Sequence, residues 1–489
     1  MTSNKAQTAE NARSALGSLR QFLPPDRLLT DPSELFTYES DGFTIAKSRP
    51  AGVVFPVDSE EVAFIVQTLA RHSVPIVPRG SGTGLTGGCV AFGDGVIVST
   101  VRLNKIFQID LENRVAHLQA GVRNAQLSDA VAAVPGGAAY HFSPDPSSQR
   151  ASTVGGNAAT NAGGIHVLKD FVTANHVLGL TMVLADGTIL NIGAQNGCCE
   201  SPFDLPGLIC GHEGTFGIIT ELWVRLVPKP TSFRTIVALF QSQGDACSAV
   251  SETIAAGHLP SALEMMDGSM VKIIEDSYHF GFPPETSALL LCDIDGIDEL
   301  LDGQMNELAA IFKRNNAFEV NTSADAESRT KLWKARKAAF GAIGKISPSY
   351  CTQDACVPRS RLREVLQRID DIGRQYGLII NNVFHAGDGN IHPIFLYNDR
   401  DEAQTRNVML AAEEVLKYCI DVGGTLTGEH GVGVEKIHLM PYLFDGVTMQ
   451  QFHAIKRAFD PDERLNAGKL IPSDTIKVDL MGPGRHVPQ

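Results

Sequence analysis

Residues 78–88 read P-R-G-S-G-T-G-L-T-G-G, and the next regular segment, V-I-V-S at 96–99, has the pattern of a strand, not a helix. Gly82, Gly84 and Gly87 satisfy the G-x-G-x-x-G spacing of dinucleotide-binding folds, but that pattern works only with a helix N-terminus directly behind it to face a pyrophosphate. No such helix is predicted here. The loop is therefore read as an anion nest, in which successive glycine N–H groups, free to take positive φ, converge on a diphosphate. A merely flexible turn has the same composition, so the reading depends on what surrounds it.

Upstream, Val53–Phe55 is a short apolar strand. Asp58 with Glu61 has the spacing of a capping box, Val62, Ile65, Val66 and Leu69 form a helical stripe, and Pro75–Pro78 reads as a buried strand. Downstream, S-P-D-P-S-S-Q-R-A-S-T-V-G-G-N-A-A-T-N-A-G-G (143–164) is too poor in bulky apolar groups for a core element. It suits backbone lying close to a flat ligand, with hydroxyls and amides on the polar edge. A strand at 177–188 follows, then a third glycine cluster, G-H-E-G-T-F-G-I-I-T-E (211–221), and a strand W-V-R-L-V (223–227). Pro228 and Pro230 mark a domain boundary. From 231 to 420 strands such as 287–294 alternate with amphipathic helices, which predicts an α+β domain with an antiparallel sheet.

At 489 residues the chain exceeds what one core organises, so at least two domains are expected. A net charge of -14, from 55 acidic and 41 basic residues, argues against nucleic acid or an anionic membrane as the main partner. No transmembrane segment is expected, because no window reaches eighteen uninterrupted apolar residues, and residues 1–22 lack a secretory pattern. Those residues, with Lys5, Arg13 and Arg20 against Glu10, read as a solvated leader, an organelle-targeting helix being the alternative. The nine cysteines (89, 198, 199, 210, 247, 292, 351, 356, 419) form no Cys-x-x-Cys pair. Reduced, mostly structural thiols are expected, with any iron–sulfur cluster on another protein.

The sharpest constellation is F-H-A-G-D-G-N-I-H-P (384–393) between the apolar runs 378–383 and 394–396. With Asp388-Gly389 as a two-residue type I′ turn, the pairing is Gly387 with Asn390, Ala386 with Ile391 and His385 with His392. Two directly opposed histidines, Cβ atoms roughly 5 Å apart, can share a metal ion. The anionic ligand is supplied by Glu429 in T-G-E-H-G-V-G (427–433), which follows a helical stretch ending near Gly423. Two His and one Glu with open positions suit zinc or manganese. Adjacent residues in extended backbone point opposite ways, so His430 can face a substrate as a base while Glu429 faces the metal.

These motifs in this order, with N-A-G-K (466–469), resemble the FAD-dependent 2-hydroxy acid dehydrogenase branch of the vanillyl-alcohol oxidase and p-cresol methylhydroxylase superfamily. That branch includes glycolate oxidase FAD subunits, D-lactate dehydrogenases and D-2-hydroxyglutarate dehydrogenases. The resemblance implies an α+β fold: a two-part FAD-binding domain of the p-cresol methylhydroxylase type plus an α+β substrate (cap) domain with an antiparallel sheet. The expected divisions are a helical segment (1–45), the FAD domain (46–230), the cap (231–420) and a C-terminal segment (421–489) returning to the FAD domain to complete the active site. It implies that Arg79, Gly80, Ser81, Gly82, Thr83, Gly84, Thr86, Gly87 and Gly88 hold the FAD pyrophosphate. Pro144, Asp145, Ser152, Gly155, Gly156, Asn157, Thr160, Asn161, Gly163 and Gly164 would line the flavin and ribityl chain. Glu213, Gly214, Gly217, Ile218 and Ile219 would reach the adenosine side, and Asn466 the flavin. The metal would be held by His385, His392 and Glu429, with His430 as base and Arg336 binding the substrate carboxylate through its planar fork. A surface helix charge is the competing reading of Arg336, since Lys331, Lys334 and Lys337 surround it.

The resemblance implies oxidation of a small 2-hydroxy acid, glycolate or D-lactate, to the 2-oxo acid. FAD is expected to be non-covalent, because the loop 79–88 holds neither His nor Cys, although Cys89 follows it. Electrons would pass to a separate acceptor, not NAD, through partner subunits carrying iron–sulfur clusters. The expected location is cytoplasmic, or peripheral at the inner face of the membrane through those partners; the oligomeric state stays open. Hydroxyglutarate-type members carry a lysine and an asparagine where this chain has Thr352 and Ile394, which favours a short monocarboxylic acid. The rivals are a D-2-hydroxyglutarate dehydrogenase, a flavin-binding electron-transfer subunit without catalysis of its own, and a metal hydrolase. The last leaves three glycine-rich tracts without a purpose.

Overall fold

Asp58 starts the first crossover. Its carboxylate accepts the Glu61 N–H at 2.8 Å and caps the helix Ser59–Arg71, whose Val62, Ile65, Val66 and Leu69 are fully buried. The Glu61 carboxylate in turn accepts the Val57 N–H at 3.1 Å and pairs with Arg27. The helix links strands Gly52–Val54 and Ile76–Arg79, which flank Val96–Ser99 in parallel, with Ile97 opposite both Val53 and Val77. Leu28–Leu29 adds an antiparallel edge strand. The other edge is met from far along the chain: Ile76 donates its N–H to the Arg464 carbonyl at 2.8 Å and accepts the Asn466 N–H at 2.9 Å, forming a parallel bridge with Leu465.

The computed structural model describes residues 2–194, 203–323 and 326–473, so Cys198 and Cys199 lie outside the described residues. The other seven cysteines are free thiols, and burial pushes Cys210 and Cys247 up to about 12. Among the described residues no helix is long and apolar enough to cross a membrane.

The chain forms two units, Met1–Gly163 with Val172–Lys229 and Glu429–Gln489, and Gly164–Phe171 with Pro230–Gly428. The first unit holds the four-stranded sheet just described and a five-stranded antiparallel sheet in the order Ile106–Asp110, Val115–Gln119, Ile218–Arg225, Val177–Val183, Ile189–Gly193. The loop at 80–95 passes straight from strand to strand with no helix, as its sequence predicts. The third glycine cluster runs directly into a strand that begins at Ile218, five residues before the expected start.

Two expectations are corrected in this unit. The Asn/Gly-rich tract contains a helix, Val154–Thr160, capped by Thr153 and buried at Val154, Gly155, Asn157 and Ala158. Smallness here serves packing: a Cβ on Gly155 would lie 2.5 Å from the Ala120 Cβ. The expected helical segment begins with the helix Thr2–Leu19, which is not wholly solvated: Ala12, Ala15, Leu16 and Leu19 are buried in the same core as Val62, Val66 and Leu69. Their i, i+3, i+4, i+7 spacing is one apolar stripe, half of it alanine.

The second unit is built on a nine-stranded sheet with every recorded pairing antiparallel. Ser232–Phe240, Ala288–Gly296, Ala262–Asp267 and Ile379–His385 are successive neighbours. The helix Leu362–Tyr376 buries Leu362, Val365, Leu366, Ile369 and Ile372 and ends on Gly377 at φ +64. The segment Gly164–Phe171 is held by a Lys169–Asp295 ion pair and by Leu168 against Gly387.

Truncating Leu19 to Ala should remove about 2–5 kcal/mol, as a core leucine does, and lower the thermal midpoint. An unchanged midpoint would return this helix to solvent.

Candidate functional site

In the first unit a cavity open to solvent is lined by the expected Arg79, Gly80, Gly84, Thr86, Gly88, Gly155, Gly156, Thr160, Glu213, Gly214, Gly217, Ile218 and Ile219. All three glycine-rich tracts therefore meet at one concavity. Pro78, Cys89, Thr100, Ala159 and His212 also line it. Ser81, Gly82, Thr83 and Gly87 belong to the same loop without lining the cavity; Gly82 and Gly87 hold its bends at φ +74 and +76. Ser81 hydroxyl donates to the Ala151 carbonyl, joining the first tract to the second. Pro144, Asp145, Ser152, Asn157, Asn161 and Gly163 lie along the second tract off the lining, and Gly164 falls in the other unit. Asn466 donates from Nδ2 to the carbonyls of Gly88 (2.9 Å) and Glu213 (2.6 Å), so it braces the wall.

The wall is charged behind its surface. Lys469 donates from Nζ to the Gly88 and Val90 carbonyls and to Asn466 Oδ1, and burial lowers its pKa to about 8. Burial raises Asp41 to about 6, against the Phe43 and Cys89 N–H groups it accepts and the nearby charges of Arg79 and Lys469. His212 Nδ1 accepts the Gly214 N–H at 2.6 Å, which puts the ring proton on Nε2; burial lowers its pKa to about 4. The buried His212 Nε2, Asn157 Nδ2 and Ser152 Oγ have no hydrogen-bond partner among the described residues. A concave, glycine-lined wall into which His212 brings a buried ring nitrogen without a protein partner among the described residues fits a dinucleotide cofactor.

In the second unit the hairpin differs in register from the expectation. His385 pairs with Asn390 and Asn382 with Pro393, so the loop is Ala386–Gly389 and the strands are shifted by two residues. Asp388 Oδ1 accepts the Asn390 N–H and Gly389 sits at φ +83, an Asx turn in place of the two-residue type I′ turn. A shift of two preserves the face of every side chain. His385 and His392 therefore meet diagonally, their ring centroids 5.1 Å apart at 83°.

Glu264, which the sequence reading missed, stands directly opposite His385 on the neighbouring strand. Its Oε1 lies 2.5 Å from His385 Nδ1, and its Oε2 accepts Arg336 Nε at 2.8 Å. Burial pushes the Glu264 carboxyl up, but the charges and hydrogen bonds of His385 and Arg336 outweigh it and hold it below the ordinary range. A carboxylate on Nδ1 fixes the imidazole and turns Nε2 outward, the usual support of a metal-binding histidine. His392 Nε2 lies 3.7 Å from Asp354 Oδ1, and Asp354 Oδ2 accepts both the Thr427 hydroxyl and the Gly428 N–H. Arg336 is 6% exposed, which rules out the surface-charge reading; bonding Glu264 through Nε leaves both terminal amino groups of the fork for a carboxylate. The signal for Glu264 was an acid in the middle of the apolar strand A-L-E-M-M-D, since a buried charge requires partners.

Glu429 and His430 open the C-terminal stretch of the first unit, where Glu429 Oε2 accepts the Gly163 N–H at 3.2 Å.

Between pH 6.5 and 4 His212 binds a proton when unfolded but not when folded, so its contribution is present above pH 6.5 and lost as pH falls through 4. Denaturant titrations should show wild type losing about 3 kcal/mol relative to His212→Asn over that window. Parallel pH curves would show that the ring is not buried neutral.

Residues 229–470 match the family of FAD linked oxidases, C-terminal domain, and residues 50–193 match the FAD binding domain family. The chain is 40% identical over 461 residues to glycolate oxidase subunit GlcD of Escherichia coli (strain K12), spanning 94% of this chain and 91% of that protein. It is 31% identical over 458 residues to D-lactate dehydrogenase of Anaerostipes hadrus, spanning 92% and 95%. The crystal structure of p-cresol methylhydroxylase with substrate bound superposes with a TM-score of 0.79 at 17% identity, covering 96% of this chain and 98% of that one, a likeness of fold.

Proposed function

This chain belongs to the FAD-linked oxidases and is an FAD-dependent hydroxy acid oxidoreductase, and on that footing we propose that it oxidises glycolate or D-lactate to the 2-oxo acid with a divalent metal, passing electrons to a separate acceptor and not to NAD. The observation that carries the metal-dependent reading is the buried Arg336–Glu264–His385 chain beside His392. His385 and His392 are two ligands, and chain continuity supports Glu429 as the third. Asp354, next to His392, grips the Gly428 N–H at 2.9 Å, and Glu429 is one peptide further, a Cα step of about 3.8 Å. Two imidazoles and a carboxylate favour zinc or manganese.

When bound, FAD supplies the hydride acceptor and the metal a Lewis acid that acidifies the substrate 2-hydroxyl. The terminal amino groups of Arg336 pair with the substrate carboxylate and orient the C2–H bond. His430 accepts the hydroxyl proton, so the substrate loses one proton and one hydride and becomes the 2-oxo acid. The Glu264 carboxylate keeps His385 and Arg336 at fixed separation. FAD is held non-covalently, in keeping with the Cys89 thiol, which burial pushes up to about 11. Thr352 is neutral and Ile394 lies in the apolar core, so neither offers a clamp for a second carboxylate, which argues against 2-hydroxyglutarate. Relatives named as a glycolate oxidase subunit support partner proteins, which we take to carry iron–sulfur clusters; our reading of the location is cytoplasmic, peripheral to the membrane through them.

Anaerobic mixing with glycolate, D-lactate, L-lactate and D-2-hydroxyglutarate should bleach the flavin band with one of the first two. His430→Ala should keep FAD and slow that bleaching about 10²–10⁴-fold; an unchanged rate would remove it as the base. His385→Ala and His392→Ala should each lose the metal by elemental analysis, and retention in both would refute the hairpin site.

A further inference from the structure

Glu213 lines the cofactor cavity, yet its carboxylate is committed elsewhere. Oε1 accepts the Val432 N–H at 2.6 Å and Oε2 accepts the Gly433 N–H at 2.7 Å, two and three residues beyond His430. Its backbone is equally fixed. The N–H donates to the Ala159 carbonyl at 2.7 Å, the carbonyl accepts Asn466 Nδ2, and the residue sits at φ +51, a left-handed conformation costly for glutamate. Another cavity-lining residue grips the same loop: the Thr86 carbonyl accepts the Val434 N–H at 2.9 Å and the Glu435 N–H at 3.3 Å. The loop is shaped to receive both grips. Gly431 and Gly433 take φ +90 and +54; a Cβ on Gly431 would fall 2.7 Å from Glu213 Oε1, and one on Gly433 would fall 2.1 Å from the Thr86 carbonyl oxygen.

We propose that Glu213 is a positioning residue for His430, fixing the backbone at 432–433 and so tying the set of the base to the wall of the cofactor cavity. This departs from the adenosine contact expected of it, and it rests on the reading of His430 as the base. An anionic carboxylate beside a diphosphate cofactor would be repelled; turned to two N–H groups it is satisfied. Burial raises its pKa and those N–H bonds pull it back.

Glu213→Gln tests this, because an amide has one acceptor oxygen and an NH₂ that would face an N–H. Loaded with FAD, the variant should show the wild-type visible spectrum and FAD content. Its flavin reduction at saturating substrate should fall about 10–100-fold, as a misplacement near 1 Å does, with KM within about threefold. Hydrogen exchange of peptides spanning 431–434 should rise. Gly431→Ala, which breaks the same grip from the other side, should show the same pattern. Loss of FAD with a wild-type rate for the flavin that remains would make Glu213 a cofactor contact, and normal reduction with normal exchange would dismiss it altogether. His430→Ala run alongside separates the two readings. If that variant reduces flavin normally, the base assignment falls and this inference with it; if it is impaired while Glu213→Gln is not, only the role of Glu213 falls.

Discussion

A carboxylate with 1% exposure is intolerable in a β-sheet unless both its oxygens are met, and Glu264 is met on one side by the His385 ring nitrogen and on the other by the Arg336 guanidinium. Removing one partner of such a set costs about 3–5 kcal/mol, so the three residues specify one another. Glu264 stands in register with His385, which locks the strand Ala262–Asp267 against the hairpin. Arg336 then fixes the rotation of the helix Ala326–Ile346. The same helix face makes a second attachment, Arg329 Nε and Trp333 Nε1 to the fully buried Asp293 at 2.9 and 3.0 Å. Positions 329, 333 and 336 follow helical periodicity, so two buried acids set the helix against the sheet.

Local rules were legible in the sequence wherever a side chain acts on its own backbone or follows a strong period. Asp58 announced its helix, and the absence of a helix behind Gly87 was readable because apolar Val96–Val98 follows with strand pattern. The hairpin shows both the reach and the limit of such reasoning. Alternation fixed which faces His385 and His392 share, while the turn type, and with it the register, depended on the Asp388 side chain bonding its own loop. Glu264 escaped because its partners lie 72 and 121 residues away. The burial of the helix Thr2–Leu19 escaped because two of the four residues in its buried stripe are alanines.

The two units solve the problem of burying polar groups differently. Around Glu264 side chains pair with side chains. Around the glycine-lined cavity the acids Asp41 and Glu213 accept backbone N–H groups and Lys469 donates to carbonyls, so side chains hold loops that have no sheet or helix of their own. That is why this wall can be rich in glycine and still be defined.

The bridge between Ile76 and Leu465 sets an order of events during synthesis. Residues 230–428 form an uninterrupted run of the second unit, but the first sheet lacks its far edge until a segment almost 390 residues downstream has left the ribosome. At about 5–20 residues per second that interval is roughly 20–80 s, during which the Ile76 strand edge is uncovered in the nascent chain. The unit begun first is thus the one finished last, and a chain stopped shortly before Arg464 would carry a complete second unit beside an open first sheet, a natural target for chaperones and proteolysis.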